Sequence, residues 1–329
     1  MYCLGIESTA HTFGASVVTG KGKILSNSRD SYATKHGGMI PSAVAEHHVA
    51  AAGKVVRQAL ADARLSVTDI SLIAFSQGPG IGHSLKVGAV AARTLSYIHK
   101  VPIVGVNHCV AHLEIGRLLT KAKDPVLLYV SGANTQVIAF EAGKYRVMGE
   151  TLDIGVGNFL DAFARHLGLG FPGGPLIEKL AGNSKKYIEL PYVVKGMDVS
   201  FGGLLTDLKK KADSKKFSRE SLCHSAQETA FAMLLEVSER ALSHTGKNEL
   251  VLGGGVACNA RLVGMATRMC KDRKAKCFVP AREYLVDNAA MIAWLGILEH
   301  RGGKRQKLAD TKVLPHWRTE QVDAPWRNK

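Results

Sequence analysis

The sequence predicts a duplicated α/β protein, two similar units that each begin with a strand, a polar turn and a second strand. Three observations predict it. First, CLGIESTAHTFGASVV at 3–18 and LLYVSGANTQVIAF at 127–140 share one plan, roughly 125 residues apart. Second, apolar runs of strand length alternate with longer helical patterns downstream of each. Third, glycine-rich stretches at 78–84, 170–175 and 253–255 stand where strands hand over to helices.

With 329 residues, 46% hydrophobic content and 34 glycines, the chain suits one large globular domain or two medium ones. No apolar run approaches a membrane span, and the opening MYCLGIES has no basic leader region. The expectation is a cytoplasmic protein without membrane contact. Six cysteines (Cys3, Cys109, Cys223, Cys258, Cys270, Cys277) form no CxxC and read as reduced thiols. Lys plus Arg number 43 against 28 acids, a net charge of +15, which points to a polyanionic partner, nucleic acid first.

In chain order, Tyr2–Ile6 and Phe13–Val18 are strands around the turn Glu7–Thr12. Its hydroxyls, and those of Ser131–Thr135 in the second copy, suit a phosphate. Gly37–Pro41 is a loop, with Ser42 capping a helix to about Arg64 whose stripe is Val44, His48, Ala51, Val55, Ala59 and Leu60. His47 and His48 read as helix surface. Ser71–Ser76 is a strand, Gly78–Ser84 a glycine-rich loop, and Leu85–His99 a helix. Val101–Asn107 is the next strand and delivers His108 at its C-terminal end, the end that ligands favour in α/β folds. His108 and His112, four apart, share one face of the following helix, and Tyr129 joins them if its strand runs back alongside.

In the second unit Val147–Leu152 is a strand ending at Asp153, and Asn158 caps a helix carrying Asp161 and Arg165. Pro175 suits the first turn of the next helix, with Glu178 facing back to the loop. The lysine-rich segment 184–216 reads as an insertion. A long helix, Arg219–His244, leads to strand Glu249–Leu252, a glycine turn before Asn259, and a helix Ala289–Leu298 capped by Asp287-Asn288. The expected division is 1–120, joined by the tail 300–329, and 121–299.

Thirteen histidines give roughly one half of a chance pair at any fixed spacing, so HxxxH alone is weak. Cys109 stands where HExxH has its general base, which argues against a zincin-type peptidase. No Gly-Lys pair is followed by Ser or Thr, and Cys258 interrupts GxGxxG, so a P-loop and a dinucleotide site are disfavoured. What remains is the plan of the actin, sugar-kinase and Hsp70 superfamily, the duplicated RNase H-like (ASKHA) fold, with nucleotide and metal in the cleft between the halves.

Nine ordered motifs then carry a resemblance over almost the whole chain: GIEST, GGMIPSAVAEHHV, GPGIGHSLKVG, VGVNHCVAH, YVSGANTQV, DIGVGNFLDAFAR, PGGPLIE, GGGVACNARL and DNAAMIA. They resemble the tRNA threonylcarbamoyladenosine transferases of archaeal type, catalytic subunits of the KEOPS complex once classed as O-sialoglycoprotein endopeptidases. The resemblance implies one metal ion, iron or zinc, on His108, His112, Tyr129 and Asp287. It places ATP, AMP or threonylcarbamoyl-AMP near Tyr129, Val130, Ser131, Gly132, Ala133, Asp161, Gly174, Glu178 and Asn259. It implies transfer of the threonylcarbamoyl group to the exocyclic amine of the adenosine beside the anticodon, in tRNAs that read ANN codons. The implied partners are tRNA, a small dimerising subunit, a kinase-like ATPase (fused C-terminally in some archaea) and an accessory subunit. Two departures stand out: Ala133 replaces a usual glycine, and Gly202 replaces a usual serine. A small-molecule kinase of the same fold gives HxxxH and Tyr129 no role. A nucleotide-gated scaffold needs a peptide groove that no segment supplies.

Overall fold

The computed structural model describes residues 1–34 and 39–328; Gly37 and Gly38 of the predicted loop lie outside them. The first sheet comprises β1 (Tyr2–Glu7), β2 (Thr12–Thr19), β3 (Ser28–Ser31), β4 (Leu72–Gly78) and β5 (Ile103–Asn107), in the order β3-β2-β1-β4-β5. The second comprises β6 (Val126–Val130), β7 (Thr135–Glu141), β8 (Lys144–Glu150), and, after a separate ribbon of β9 (Val194–Lys195) and β10 (Asp198–Val199), β11 (Glu249–Gly253) and β12 (Lys276–Phe278). Its order is β12-β11-β6-β7-β8. In each sheet the first three strands are antiparallel neighbours, and the last two run parallel to the first. The duplication seen in two turns therefore extends to ten strands, and the fold is of the actin-like ATPase class. Among the described residues no helix is long and apolar enough to cross a membrane.

Strands β1, β4, β5 and β6 are near-continuous apolar runs because helices cover both faces of the sheets. Edge strand β3 (SRDS) carries no such pattern, and for that reason the sequence did not reveal it. The helices are α1 (Pro41–Ala63), α2 (Gly82–His99), α3 (His108–Thr120), α4 (Val156–His166), α5 (Gly174–Ala181), α6 (Gly202–Asp213), α7 (Arg219–Thr245), α8 (Ala260–Asp272), the single turn α9 (Arg282–Leu285) and α10 (Ala289–Arg301).

Several predicted caps differ. Pro41 opens α1 after Ile40, so Ser42 lies inside the first turn. Gly155, not Asn158, precedes α4, because its backbone must lie close against the turn at Gly132 and Ala133. Asn288 alone caps α10, accepting the Met291 amide at 3.0 Å, which leaves the Asp287 carboxylate for other partners. His48 is fully buried on α1, not surface.

The helices that end each unit meet at the seam. Helix α10 follows the second sheet yet packs on β1, β2, β4 and β5 of the first, while α3 follows β5 and reaches β6 and β11. The two helices also contact each other. Glycine makes the first approach possible: a Cβ on Gly5 would meet the Ala289 carbonyl oxygen and stand 2.6 Å from the Ala293 nitrogen.

The tail then crosses from one sheet to the other. Gln306 accepts the Gly105 amide at 2.6 Å, Leu314 donates to Gln77 at 2.7 Å, and Asn107 donates to the Trp317 carbonyl at 3.3 Å. Farther on, Asp323 bridges to Lys144, and the Trp326 indole donates to buried Glu114 at 3.1 Å. Substituting Gly5→Ala drives a methyl into backbone that cannot yield, so unfolding in urea is expected to show a loss of about 2 kcal/mol or more. Unchanged stability would contradict the close packing of α10 on β1.

Candidate metal centre and adjoining cleft

Strand β5 ends at Asn107, whose buried side chain accepts the Cys109 and Val110 amides at 3.0 and 3.2 Å and so starts α3 at His108. One turn later His112 stands over His108, ring centroids 4.8 Å apart. Tyr129, on the last turn of pleat in β6, brings its hydroxyl 3.0 Å from His108 Nε2. Asp287, just ahead of α10, places Oδ1 3.4 Å from Nε2 of both histidines. The ligand atoms of His108, His112 and Asp287 lie within 4.8 Å of one another. The four side chains singled out for a metal thus converge at the seam.

Among the described residues neither buried nitrogen of His112 makes a well-formed hydrogen bond, and the nearby Asp287 oxygen stands 3.4 Å from Nε2. A buried polar atom left unpaired is costly, so this imidazole is not a satisfied core residue. Burial pushes it down, toward the neutral form that donates a lone pair. Burial pushes the Tyr129 phenol up. At His108 burial lowers the pKa, but the facing Tyr129, Glu7 and Asp287 outweigh it and hold it well above normal. For Asp287 burial works upward, and the two imidazoles overrule it, keeping the carboxyl well below its usual range. Two carboxylates and a phenol thus face the two imidazoles in one cluster. Imidazole, phenol and carboxylate donors at this spacing fit a metal cation.

Glu7 is the residue that sequence reasoning missed. It is fully buried, with Oε2 3.0 Å from His108 Nδ1 and Oε1 accepting the Thr9 amide at 2.6 Å and the Thr9 hydroxyl at 2.5 Å. By accepting from Nδ1 it would leave Nε2 free for a cation, the usual role of a carboxylate behind a ligating histidine. The signal was present, since a Glu ending an apolar strand must be paired. Cys109, in the place of a peptidase general base, is buried, and burial pushes its thiol up to about 11.

The residues expected around a nucleotide belong to the second unit, at the end of β6 and on α4, α5 and the start of α8. Ser131 and Gly132 turn their carbonyls into the start of α4, accepting the Gly157 and Asn158 amides at 3.0 and 2.9 Å. The amides of Gly132 and Ala133 are donated to nothing among the described residues and face an exposed turn. Ala133 is not in the left-handed region, so its departure from glycine costs no strain. Val130 is wholly buried and offers backbone only. Asp161 accepts the Gly173 and Gly174 amides at 2.7 and 3.3 Å, with burial raising its pKa. Glu178 faces α8, not its own loop, and accepts the Ala260 amide at 2.7 Å. Asn259 caps α8, its oxygen taken by the Arg261 and Leu262 amides. The first turn is less open than the second: the Ser8 amide goes to Ser76, and the Thr9 amide to Glu7. Gly202 donates to Asp153 at 2.7 Å, and a side chain there would crowd that carboxylate.

Titration of the protein with Co²⁺ is expected to give one tight site with visible bands, lost when His108 and His112 are both replaced by Ala. Far-UV circular dichroism should be unchanged. A double variant that keeps the tight site would separate the histidines from metal binding.

A family model of tRNA N6-adenosine threonylcarbamoyltransferases matches residues 23–294. The tRNA N6-adenosine threonylcarbamoyltransferase of Thermococcus kodakarensis is 55% identical over 326 residues, covering 99% of this chain and 100% of that protein. The corresponding enzyme of Methanocella arvoryzae is 51% identical over 323 residues, covering 98% of each. A probable bifunctional tRNA threonylcarbamoyladenosine biosynthesis protein of Methanocaldococcus jannaschii is 51% identical over 99% of this chain, which spans 60% of that longer protein. Among solved structures, T. kodakarensis HypF superposes with a TM-score of 0.62 at 15% identity, over 92% of this chain and 48% of HypF. Component A of the Acidaminococcus fermentans (R)-2-hydroxyglutaryl-CoA dehydratase gives 0.57 at 14%, over 92% and 99%. At such identities those two share the fold alone. The sequence relatives decide the family: the chain belongs to the tRNA N6-adenosine threonylcarbamoyltransferases and groups with their archaeal members.

Proposed function

We propose a division of labour among this chain's residues for the threonylcarbamoyl transfer that defines its family. The observation that carries it is the convergence of His108, His112, Tyr129 and Asp287 beside an exposed turn with unused amides. The donor is threonylcarbamoyl-AMP, and the acceptor is the exocyclic amine of the adenosine next to the anticodon in tRNAs that read ANN codons. The four side chains would hold an iron or zinc ion. When bound, that ion supplies Lewis acidity toward the carbamoyl carbonyl.

The chain's own groups do the rest. Glu7 keeps the Nδ1 proton of His108 in place and thereby orients the ring. The Gly132 and Ala133 amides, with Ser131 and the backbone of Tyr129 and Val130, would bind the AMP phosphate as it leaves. Asp161, Gly174 and Glu178 would take the ribose, and Asn259 would border the base. A new bond forms from the amine nitrogen to the carbamoyl carbon, the bond from that carbon to the AMP oxygen breaks, and one amine proton is released. AMP is already a good leaving group, so no side chain need be acylated.

The net charge of +15 would grip tRNA without regard to sequence. The partners would be the KEOPS subunits: a small dimerising protein, a kinase-like ATPase (its counterpart fused in longer relatives) and an accessory protein, all in the cytoplasm. The working unit would divide into 1–120 with the tail 300–329, and 121–299 with its insertion 184–216.

Supplied with L-threonine, bicarbonate, ATP, an adenylate-forming enzyme and the accessory subunits, the protein should convert tRNA adenosine to its threonylcarbamoyl form. The His108→Ala, His112→Ala variant should lose about a hundredfold or more in rate; retained activity would remove the metal's role. Binding of tRNA should follow log salt with a slope of about −3 or steeper, reflecting several neutralised phosphates. A flat salt dependence would rule out the electrostatic grip.

A further inference from the structure

Two aromatic rings, one from each unit, meet across the cleft outside the metal centre. His11, at the tip of the β1–β2 hairpin, and Phe171, in the loop before α5, stand edge to face, centroids 6.0 Å apart and planes at 86°. Both are partly exposed. Apart from the pairs among His108, His112 and Tyr129, this is the ring contact that joins the two units among the described residues.

Neither ring hangs on a loose loop. Three successive carbonyls in the hairpin tip are held: Thr9 by the Ile81 amide at 2.8 Å, Ala10 by His48 Nε2 at 2.9 Å, and His11 by the Tyr32 amide at 2.8 Å. Burial pushes His48 down to about 4, so its ring is neutral and its one proton must sit on Nε2 to make that bond. On the other side, Phe171 pairs through its backbone with Thr34, and Asp161 holds the two glycine amides that follow. Ordinary surface aromatics need no such fixing. A corner built from two pinned perpendicular rings is a receptor for a flat group, which can lie on one ring while its edge meets the other.

Its position says which flat group. His11 lies two residues past Thr9, whose hydroxyl is 3.3 Å from His108 Nδ1, so the hairpin that carries His11 also touches the outer side of the histidine pair. The residues proposed to take the donor's own adenosine belong to the second unit alone, whereas the corner takes one partly exposed ring from each unit. An RNA base reaches a buried centre only when unstacked from its neighbours, and aromatic faces replace the lost stacking.

We propose that His11 and Phe171 are positioning residues that receive the target adenine of the tRNA as it swings toward the transfer site. This rests on the transferase reading above and adds to it the surface that holds the acceptor base. The test is a double-mutant cycle between protein and RNA. An anticodon stem-loop carrying adenosine at the target position is compared with one abasic there, for binding to the full chain in its native complex. Wild type should lose roughly tenfold in affinity when the base is removed. Phe171→Leu, which keeps apolar bulk but no aromatic face, should lose nothing further on removal of the base. Phe171→Tyr should restore the tenfold difference, and all three should bind AMP and metal equally.

An equal abasic penalty in wild type and Phe171→Leu overturns the clamp while leaving the transferase reading intact. So does a Phe171→Leu defect confined to AMP, which would assign the corner to the donor. A wild type that binds neither stem-loop overturns the transferase reading together with the clamp.

Discussion

Everything at the seam depends on how two helices begin. Helices α3 and α10 emerge from different sheets, cross over, and begin beside one another, each fixed by a buried asparagine that satisfies the first free amides. Because Asn107 and Asn288 do the capping, the residues flanking them, His108 and Asp287, need not. Their side chains are released toward the same point, where Tyr129 arrives from β6. A helix start is a precise place to mount a ligand: the backbone is regular on one side and capped on the other, so the side chain leaves at a fixed angle. Two such starts, brought together by a fold made of two like halves, bring Asp287 to a histidine pair and a tyrosine from far earlier in the sequence.

The two copies have not kept the same job. In the second, the turn after β6 presents unused amides to the cleft. In the first, the Ser8 and Thr9 amides are bound by Ser76 and Glu7, and the turn supports His108 through Thr9 and Glu7. One hairpin thus keeps free backbone donors, and its twin braces the histidine pair. The departure at Ala133 fits this arrangement, since the turn uses backbone amides and no left-handed conformation there.

Much of this was legible in the sequence, and the reasons are physical. The repeat showed because strand–turn–strand units buried on both faces must be written as apolar runs around a polar break. The histidine pair showed because helical spacing fixes which side chains share a face. What could not be read were features set by contacts distant in sequence. Edge strand β3 has no apolar signature, and the shift of capping from Ser42 to Ile40-Pro41 follows from local backbone choice. His48 looked like surface because its partner, the Ala10 carbonyl, is 38 residues away. Glu7 was overlooked for the same reason: its meaning comes from His108, which only the β1–β4–β5 order of the sheet brings near.

The tail carries a mechanical consequence. It is fastened along the ends of β4 and β5, touches the asparagine that starts α3, and finishes against Lys144 of the far sheet and Glu114 of α3. Two lobes joined only by crossing helices could swing apart about them like the covers of a book. A clasp sewn to both covers opposes that swing, and so helps to hold the spacing between His108 and Asp287 on which their convergence depends.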